Sequence, residues 1–218
     1  MKWKTALLDL FFPPKCAFCG RLGVHGVCEA CESALPRMET ALREGAPFGK
    51  CAVPLKYEGM VREALLRYKF HGARGAAEGF GALLARCAAE ELGGEFDVVT
   101  WAPVSDKRRK SRGYDQAYLL ARHAARAWET EPAALLKKRR DTPPQSGLGA
   151  AERRGNVLGV YEAQNAAQIE NARVLLIDDI ITTGSTLGEC VRVLREAGAQ
   201  SVVCACLASA SVETHKAR

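Results

Sequence analysis

Asp178 and Asp179 close an apolar run, Val174, Leu175, Leu176 and Ile177, and are followed by Ile180, Ile181 and then Thr182, Thr183, Gly184, Ser185 and Thr186. Two carboxylates at the end of a strand can accept hydrogen bonds from a pair of vicinal sugar hydroxyls. Backbone amides at a helix start, with hydroxyls beside them, make a socket for a phosphate dianion. The two together describe a pocket for a ribose 5-phosphate. An ordinary strand, turn and capped helix would use the same Thr and Ser residues. A Walker A loop is excluded, because no lysine lies in the segment.

The second constellation is Cys16, Cys19, Cys28 and Cys31, two Cys-x-x-Cys pairs eight residues apart. Each pair can grip one cation from a tight turn, and two such knuckles complete a tetrahedral thiolate site for structural zinc. Gly20, Gly23 and Gly26 supply the backbone freedom those turns need. His25 reads as a surface residue beside a full ligand set. Two disulfides would require an oxidising compartment. The opening segment argues against that, since Met1 to Phe12 is short, is broken by Asp9 and has no cleavage-like small-residue site.

These groups need a scaffold. The apolar run reads as a buried parallel strand. Leu187, Cys190, Val191, Leu194 and Ala197 recur at helical spacing, Gly198 is a stop, and Ser201 to Leu207 is another buried strand. Strand, phosphate loop, helix and strand form the ligand-binding crossover of an open α/β sheet. Upstream, residues 3 to 12 suit an amphipathic helix ended by Pro13 and Pro14, and Glu32 to Lys50 a helix end and linker. Cys51 to Tyr57 suits a strand, Glu58 to Phe70 and Gly75 to Leu92 helices, and Asp97 to Ala102 the first central strand. Tyr114 to Trp128 is expected as a helix and Ala133 to Lys138 as a second strand. Asp141 to Val157, rich in Pro, Gly, Gln and Arg, is a long functional loop.

The chain has 218 residues, room for one α/β domain and a small metal module, with boundaries expected at 1–45 and 46–218. No apolar run reaches the roughly 18–20 residues of a membrane span. Nine cysteines without a secretion signal point to a reducing, cytoplasmic setting. Cys51, Cys87, Cys190, Cys204 and Cys206 read as small buried hydrophobes. Net charge is +6, unevenly spread. Lys107, Arg108, Arg109, Lys110 and Arg112 crowd one loop, Lys137 to Arg140 a second, and Arg153 and Arg154 follow. Runs placed after strands can surround a phosphate pocket, and a basic rim also suits a nucleic-acid backbone.

The stretch Val174 to Thr186 resembles the motif of type I phosphoribosyltransferases that binds 5-phosphoribosyl 1-pyrophosphate (PRPP). A longer series extends the likeness: the cysteine knuckles, Tyr68 to Gly72, Ala102 to Ser105, Ser111 to Ala117, then Gln145, Arg153 and Asn156. In that order they resemble the ComF family, phosphoribosyltransferase-like proteins with an amino-terminal zinc ribbon that are linked to uptake of single-stranded DNA in natural transformation. The resemblance implies an open, mainly parallel sheet flanked by helices. It implies that Asp178 and Asp179 hold ribose hydroxyls and that Thr182, Thr183, Gly184, Ser185 and Thr186 hold the 5-phosphate. Ser105 and Arg112 would serve the pyrophosphate side, Lys69 a basic corner, and Arg153 a loop that folds over the ligand. Magnesium would accompany PRPP. Asp115 stands where the family usually has Asn, bringing negative charge toward the phosphate side. His71 stands where it usually has Arg or Lys.

Two classes of function follow. One is a glycosyltransferase-class enzyme that transfers phosphoribosyl to an acceptor, although no base-binding or ammonia-generating segment is recognisable. The other is a DNA-handling or partner-docking protein whose phosphoribosyl pocket is regulatory. Its partners would be single-stranded DNA and a DNA-translocation helicase.

Overall fold

The computed structural model describes residues 13–140 and 158–210. The expected helix at 3–12 and the loop residues Gln145, Arg153 and Asn156 lie outside these. After the cysteine knuckles come α1 (Glu29–Ala34), β1 (Leu42–Gly45), β2 (Gly49–Ala52), β3 (Leu55–Lys56), α2 (Gly59–Phe70) and α3 (Ala76–Leu92). Then follow β4 (Val98–Trp101), α4 (Asp106–Arg112), α5 (Gln116–Ala125), a 3₁₀ turn (Arg126–Trp128) and β5 (Leu136–Lys138). The chain closes with β6 (Tyr161–Ala163), α6 (Ala166–Ile169), β7 (Arg173–Ile181), α7 (Ser185–Glu196) and β8 (Ser201–Ser209).

Among the described residues the main sheet has six strands in the order β1-β2-β8-β7-β4, with β3 continuing beside β8 below β2. Only the β1–β2 hairpin is antiparallel; β2, β3 and β7 run parallel to β8, and β4 runs parallel to β7. Both sheet faces are covered, which is why β7 and β8 read as unbroken apolar runs. Leu175, Ile177, Val203, Ala205 and Leu207 pack with α2, α3 and α5. Val174, Leu176, Val202, Cys204 and Cys206 alternate to the other face, against α7, the β5–β6 ribbon and Phe48. The five cysteines outside the knuckles are all buried, as expected of small hydrophobes.

Three expectations are corrected. The segment read as a linker holds the β1–β2 hairpin. The strand expected at Ala133 to Lys138 does not join the main sheet; β5 pairs antiparallel with β6 as a separate ribbon. The basic run at Lys107 to Arg112 is no loop but the last six residues of α4, capped by Ser105, whose hydroxyl accepts the Arg108 amide, and ended by Gly113 at φ +76°.

Candidate active site and cysteine knuckle

The knuckle is compact. The four Sγ atoms of Cys16, Cys19, Cys28 and Cys31 lie within 4.8 Å of one another. Gly20, Gly23 and Gly26 all have φ between +72° and +76°, the left-handed turns that the spacing required. Burial opposes ionisation of Cys16, but the amides of Cys28, Cys19 and Phe18 converge on its sulfur and hold its thiol down at about 6. A four-thiol set with converging amides fits zinc. The module is anchored to the body by Phe18, fully buried with its ring centroid 5.2 Å from that of Phe80 on α3. The Arg67 guanidinium on α2 donates to the Phe18 carbonyl.

At the carboxyl ends of β4 and β7 opens a cavity of about 510 Å³. Ligand crevices of open α/β sheets lie at this end. Asp178, Asp179 and the whole loop Thr182 to Thr186 line it, as do Lys69 and Arg112. Ser105 does not: it is buried as the cap of α4 and acts on the cleft through that helix. Tyr57 and Tyr161, which the sequence does not mark, also line the cavity, together with Phe70 from the Tyr68 to Gly72 stretch and Arg108 and Lys138 from the two basic runs. The signal for Arg108 was its spacing. Arg108 and Arg112 lie four apart, on one side of α4, while Lys107, Arg109 and Lys110 are exposed.

Strand β7 runs through both acids to Ile181, with Asp178 opposite Cys206 of β8. Burial first, and the Asp179 charge second, push the Asp178 carboxyl up to about 7; the Asp179 amide, 2.8 Å from Asp178 Oδ1, and the Lys69 charge pull the other way. Lys69 Nζ lies 2.8 Å from Asp179 Oδ1.

Beyond the strand, Gly184 takes φ +73° and is the N-cap of α7. It brings no side-chain acceptor of its own to the helix start; the Ser185 amide reaches the Thr183 hydroxyl at 3.4 Å, and a helix start of this kind suits an anion. Thr183 and Ser185 hydroxyls sit 2.8 Å apart at the turn. The β1–β2 hairpin tip props this loop from behind. A Cβ on Gly184 would fall 2.3 Å from Phe48 Cδ1, and one on Gly188 would fall 2.1 Å from Pro47 Cγ.

On the opposite side of the cleft, Arg112 donates to Gln116 Oε1 at 3.0 Å and its Cζ lies 5.0 Å from the Phe70 ring centroid. Lys138 Nζ lies 5.1 Å from the centroid of Tyr161. Asp115 is not a repelling charge in the cleft. Its carboxylate accepts the amides of Tyr118 and Val104, each at 3.1 Å, so it caps α5 and fixes the loop after β4. Burial still pushes its carboxyl up from the ordinary value.

Residues 110–218, half of the chain, match the phosphoribosyl transferase domain model. The chain belongs to the phosphoribosyl transferase domain family. Residues 7–64 match the double zinc ribbon domain, and the knuckle is accordingly a structural zinc site. Competence protein ComFC of Bacillus subtilis (strain 168) is 29% identical over 184 residues, 84% of this chain and 72% of that protein. Competence protein F of Haemophilus influenzae is 37% identical over 109 residues, 49% of this chain and 47% of that protein. The chain thus spans about half the length of the second relative. With these matches, this member of the phosphoribosyl transferase domain family is a ComF-family protein, as the sequence resemblance implied. A solved structure titled as the allosteric regulatory enzyme of purine biosynthesis aligns with 65% of this chain and 29% of its own, at 26% identity and a TM-score of 0.42. No described helix is long and apolar enough to cross a membrane.

Proposed function

We propose that the cleft binds PRPP with magnesium and that the protein serves DNA uptake in natural transformation as a phosphoribosyltransferase-like protein. The observation that carries this reading is the placement of two adjacent carboxylates, a hydroxyl-rich helix start and four cations around one cavity at the carboxyl ends of parallel strands. Asp178 and Asp179 accept the ribose hydroxyls, and the Thr182 to Thr186 loop takes the 5-phosphate. Lys69, Arg108, Arg112 and Lys138 balance the pyrophosphate. The donor set fits a dication, since its charge would favour the ionised form of Asp178, whose carboxyl burial and the neighbouring Asp179 charge push up to about 7. Magnesium would lie with Asp178 and Asp179 and supply charge against the pyrophosphate. In transfer, the C1–O bond breaks and its electron pair leaves with pyrophosphate, while the acceptor's lone pair forms the new bond to C1 and its proton passes to solvent. The protein's part is positioning and electrostatic stabilisation of the leaving group. In this reading the ligand-binding domain takes in 46–218 and also β1, which the expected boundary at 45 leaves with the metal module but which pairs with β2 in the main sheet.

Calorimetry of PRPP with magnesium tests it. Saturable binding by wild type, abolished in the Asp178→Asn/Asp179→Asn double variant, is the expected result. A folded, zinc-loaded wild type that gives no heat would overturn it.

The exposed row Lys107, Arg109 and Lys110 favours a second role beside the first. These cations point away from the cavity on the helix whose other side lines it, and they suit a polyanion such as single-stranded DNA. Neutralising the three should weaken strand binding and flatten its salt dependence. An unchanged salt slope would rule out this surface.

A further inference from the structure

Glu189 lies on α7 with only 4% of its side chain exposed. A buried carboxylate needs donors. Arg192, one turn further along the helix, supplies two: its Nε lies 2.9 Å from Oε2 and its Nη2 2.8 Å from Oε1. That pair is internal to α7. A third donor comes from another element. The Gly159 amide donates to Oε1 at 2.7 Å, and Gly159 takes φ +66°, a conformation that favours glycine. Arg192 first, and this amide, hold the Glu189 carboxyl below its ordinary range against the effect of burial. The acceptor is therefore charged, which makes the Gly159 bond one of the stronger class.

Gly159 and Val160 lead into β6 of the β5–β6 ribbon, which stands apart from the main sheet. Its register pairs Lys138 with Tyr161, and the Arg139 amide donates to the Val160 carbonyl at 2.8 Å. The other end of the ribbon is rooted on β4. There the Ala133 amide donates to the Val99 carbonyl and the Thr100 hydroxyl to the Ala133 carbonyl, each at 2.8 Å. A two-stranded ribbon is marginal by itself, so a root at one end does not fix the other. Leu136, Val160 and Tyr161 are buried in the core on the α7 side, but apolar burial is non-directional. The bond from Gly159 to Glu189 supplies a direction.

Lys138 is what the ribbon brings to the cleft. Its Nζ lies 5.1 Å from the Tyr161 ring centroid, both residues line the cavity, and its charge favours ionised Asp178. Helix α7 begins at Ser185, within the phosphate loop, and Glu189 follows one turn later. Glu189 itself is not among the residues that line the cleft.

We propose that Glu189 is a positioning residue: by holding Gly159 it fixes the ribbon, and with it Lys138, relative to the phosphate loop. The inference rests on the phosphoribosyl reading for what Lys138 meets, namely the pyrophosphate.

The test uses full-length, zinc-loaded protein in two arms. The first is hydrogen exchange without ligand, followed at the Gly159 and Arg139 amides. Glu189→Ala should speed exchange at both by about tenfold or more, the size of a hydrogen bond to a charged group, and leave β7 and β8 as protected as in wild type. Glu189→Gln, which keeps an oxygen acceptor for Gly159, should recover most of the protection. The second arm is calorimetry of PRPP with magnesium. Lys138→Met should weaken binding about tenfold, by the same measure. Glu189→Ala should weaken it severalfold in the wild-type background and not at all in Lys138→Met, because the two act as one unit. Additive losses would overturn the proposal, since Glu189 would then reach the ligand by another route. So would unchanged exchange at Gly159 and Arg139 in Glu189→Ala, and so would protection lost throughout the sheet, which would make Glu189 a support of the whole fold. A wild type that binds no PRPP while the exchange arm runs as expected sinks the phosphoribosyl reading and leaves the strut standing. PRPP binding with unchanged exchange does the reverse.

Discussion

Lys69 Nζ lies 2.8 Å from Asp179 Oδ1, and both side chains are largely shielded, at 19% and 13% exposure. The lysine comes from α2 and the acid from the end of β7, so one cation from outside the motif balances the charge of the acidic pair. Lys69→Met should lower PRPP affinity about tenfold or more near pH 7.5, the size of one charge-assisted hydrogen bond. Because Lys69 also favours ionised Asp178, the pH for half-maximal binding should move upward. Calorimetry across pH 6–9 measures both, and an unshifted profile would show that the two residues do not act on each other.

Asp178 gives a pH dependence whose sign is fixed. Its carboxyl is raised from 3.8 to about 7 by burial and by Asp179. The folded state therefore holds a proton that the unfolded chain has released, and stability falls as pH rises from about 4 to about 7 and is level above that. Asp178→Asn should melt a few degrees above wild type at pH 8 and alongside it at pH 4. Binding of a ligand that needs the ionised form should release a proton below pH 7. Calorimetry in two buffers of different ionisation enthalpy would detect it, and equal heats would contradict the assignment.

Gly188 tests the prop behind the phosphate loop. In an ordinary helix Ala is favoured over Gly by about 1 kcal/mol. Here a methyl would meet Pro47 Cγ at 2.1 Å, so Gly188→Ala should lower the melting temperature and weaken PRPP binding by displacing the hairpin tip. A stabilised variant would mean that the hairpin yields freely.

Asp115 should behave as a brace. Asp115→Ala removes the acceptor of two amides and should cost about 1–2 kcal/mol, as loss of an N-cap does. Chemical denaturation would measure this. Faster amide exchange at Val104 than at distant sites would show that the loop after β4 has loosened.

Zinc removal should undo the knuckle first. Metal binding by such sites is worth roughly 10–16 kcal/mol, and chelation would leave Phe18 without its frame. Cys28→Ser/Cys31→Ser should bind no zinc, be cut readily by protease within residues 16–31 and melt several degrees lower. Protease resistance equal to wild type would show that the module folds without metal.

The knuckle and the β7–loop–α7 unit were legible in the sequence because their signals are local. Cysteine spacing, a run buried on both faces and a phosphate loop each declare themselves within about thirty residues. What failed was non-local or lacked an apolar stripe. Leu42–Gly45 has no alternation of apolar and polar residues, and its pairing partner defines it as a strand. Leu136–Lys138 resembles a sheet strand, but its partner Tyr161–Ala163 lies across a long insertion. Helix α4 buries no residue and stands on its two caps. Asp115 read as an intruding charge because a sequence does not show where backbone amides point. Phe70 belongs to the Tyr68 to Gly72 stretch of the family series, but a sequence does not show that the Arg112 guanidinium covers its ring.

Helix α2 holds three consecutive residues with separate duties. Arg67 grips the Phe18 carbonyl in the knuckle. The Tyr68 hydroxyl donates to the Gln116 carbonyl at 2.8 Å, while the Tyr68 carbonyl accepts from Tyr114. Lys69 reaches Asp179. One helical turn thus ties the metal module to the floor of the cleft, which makes the two occupants thermodynamic partners. Whatever factor zinc adds to the affinity for sugar phosphate, sugar phosphate must add to the affinity for zinc. Titrating sugar phosphate into the zinc-loaded and zinc-free chain would read that factor, and equal affinities would show that the contacts along α2 carry no coupling.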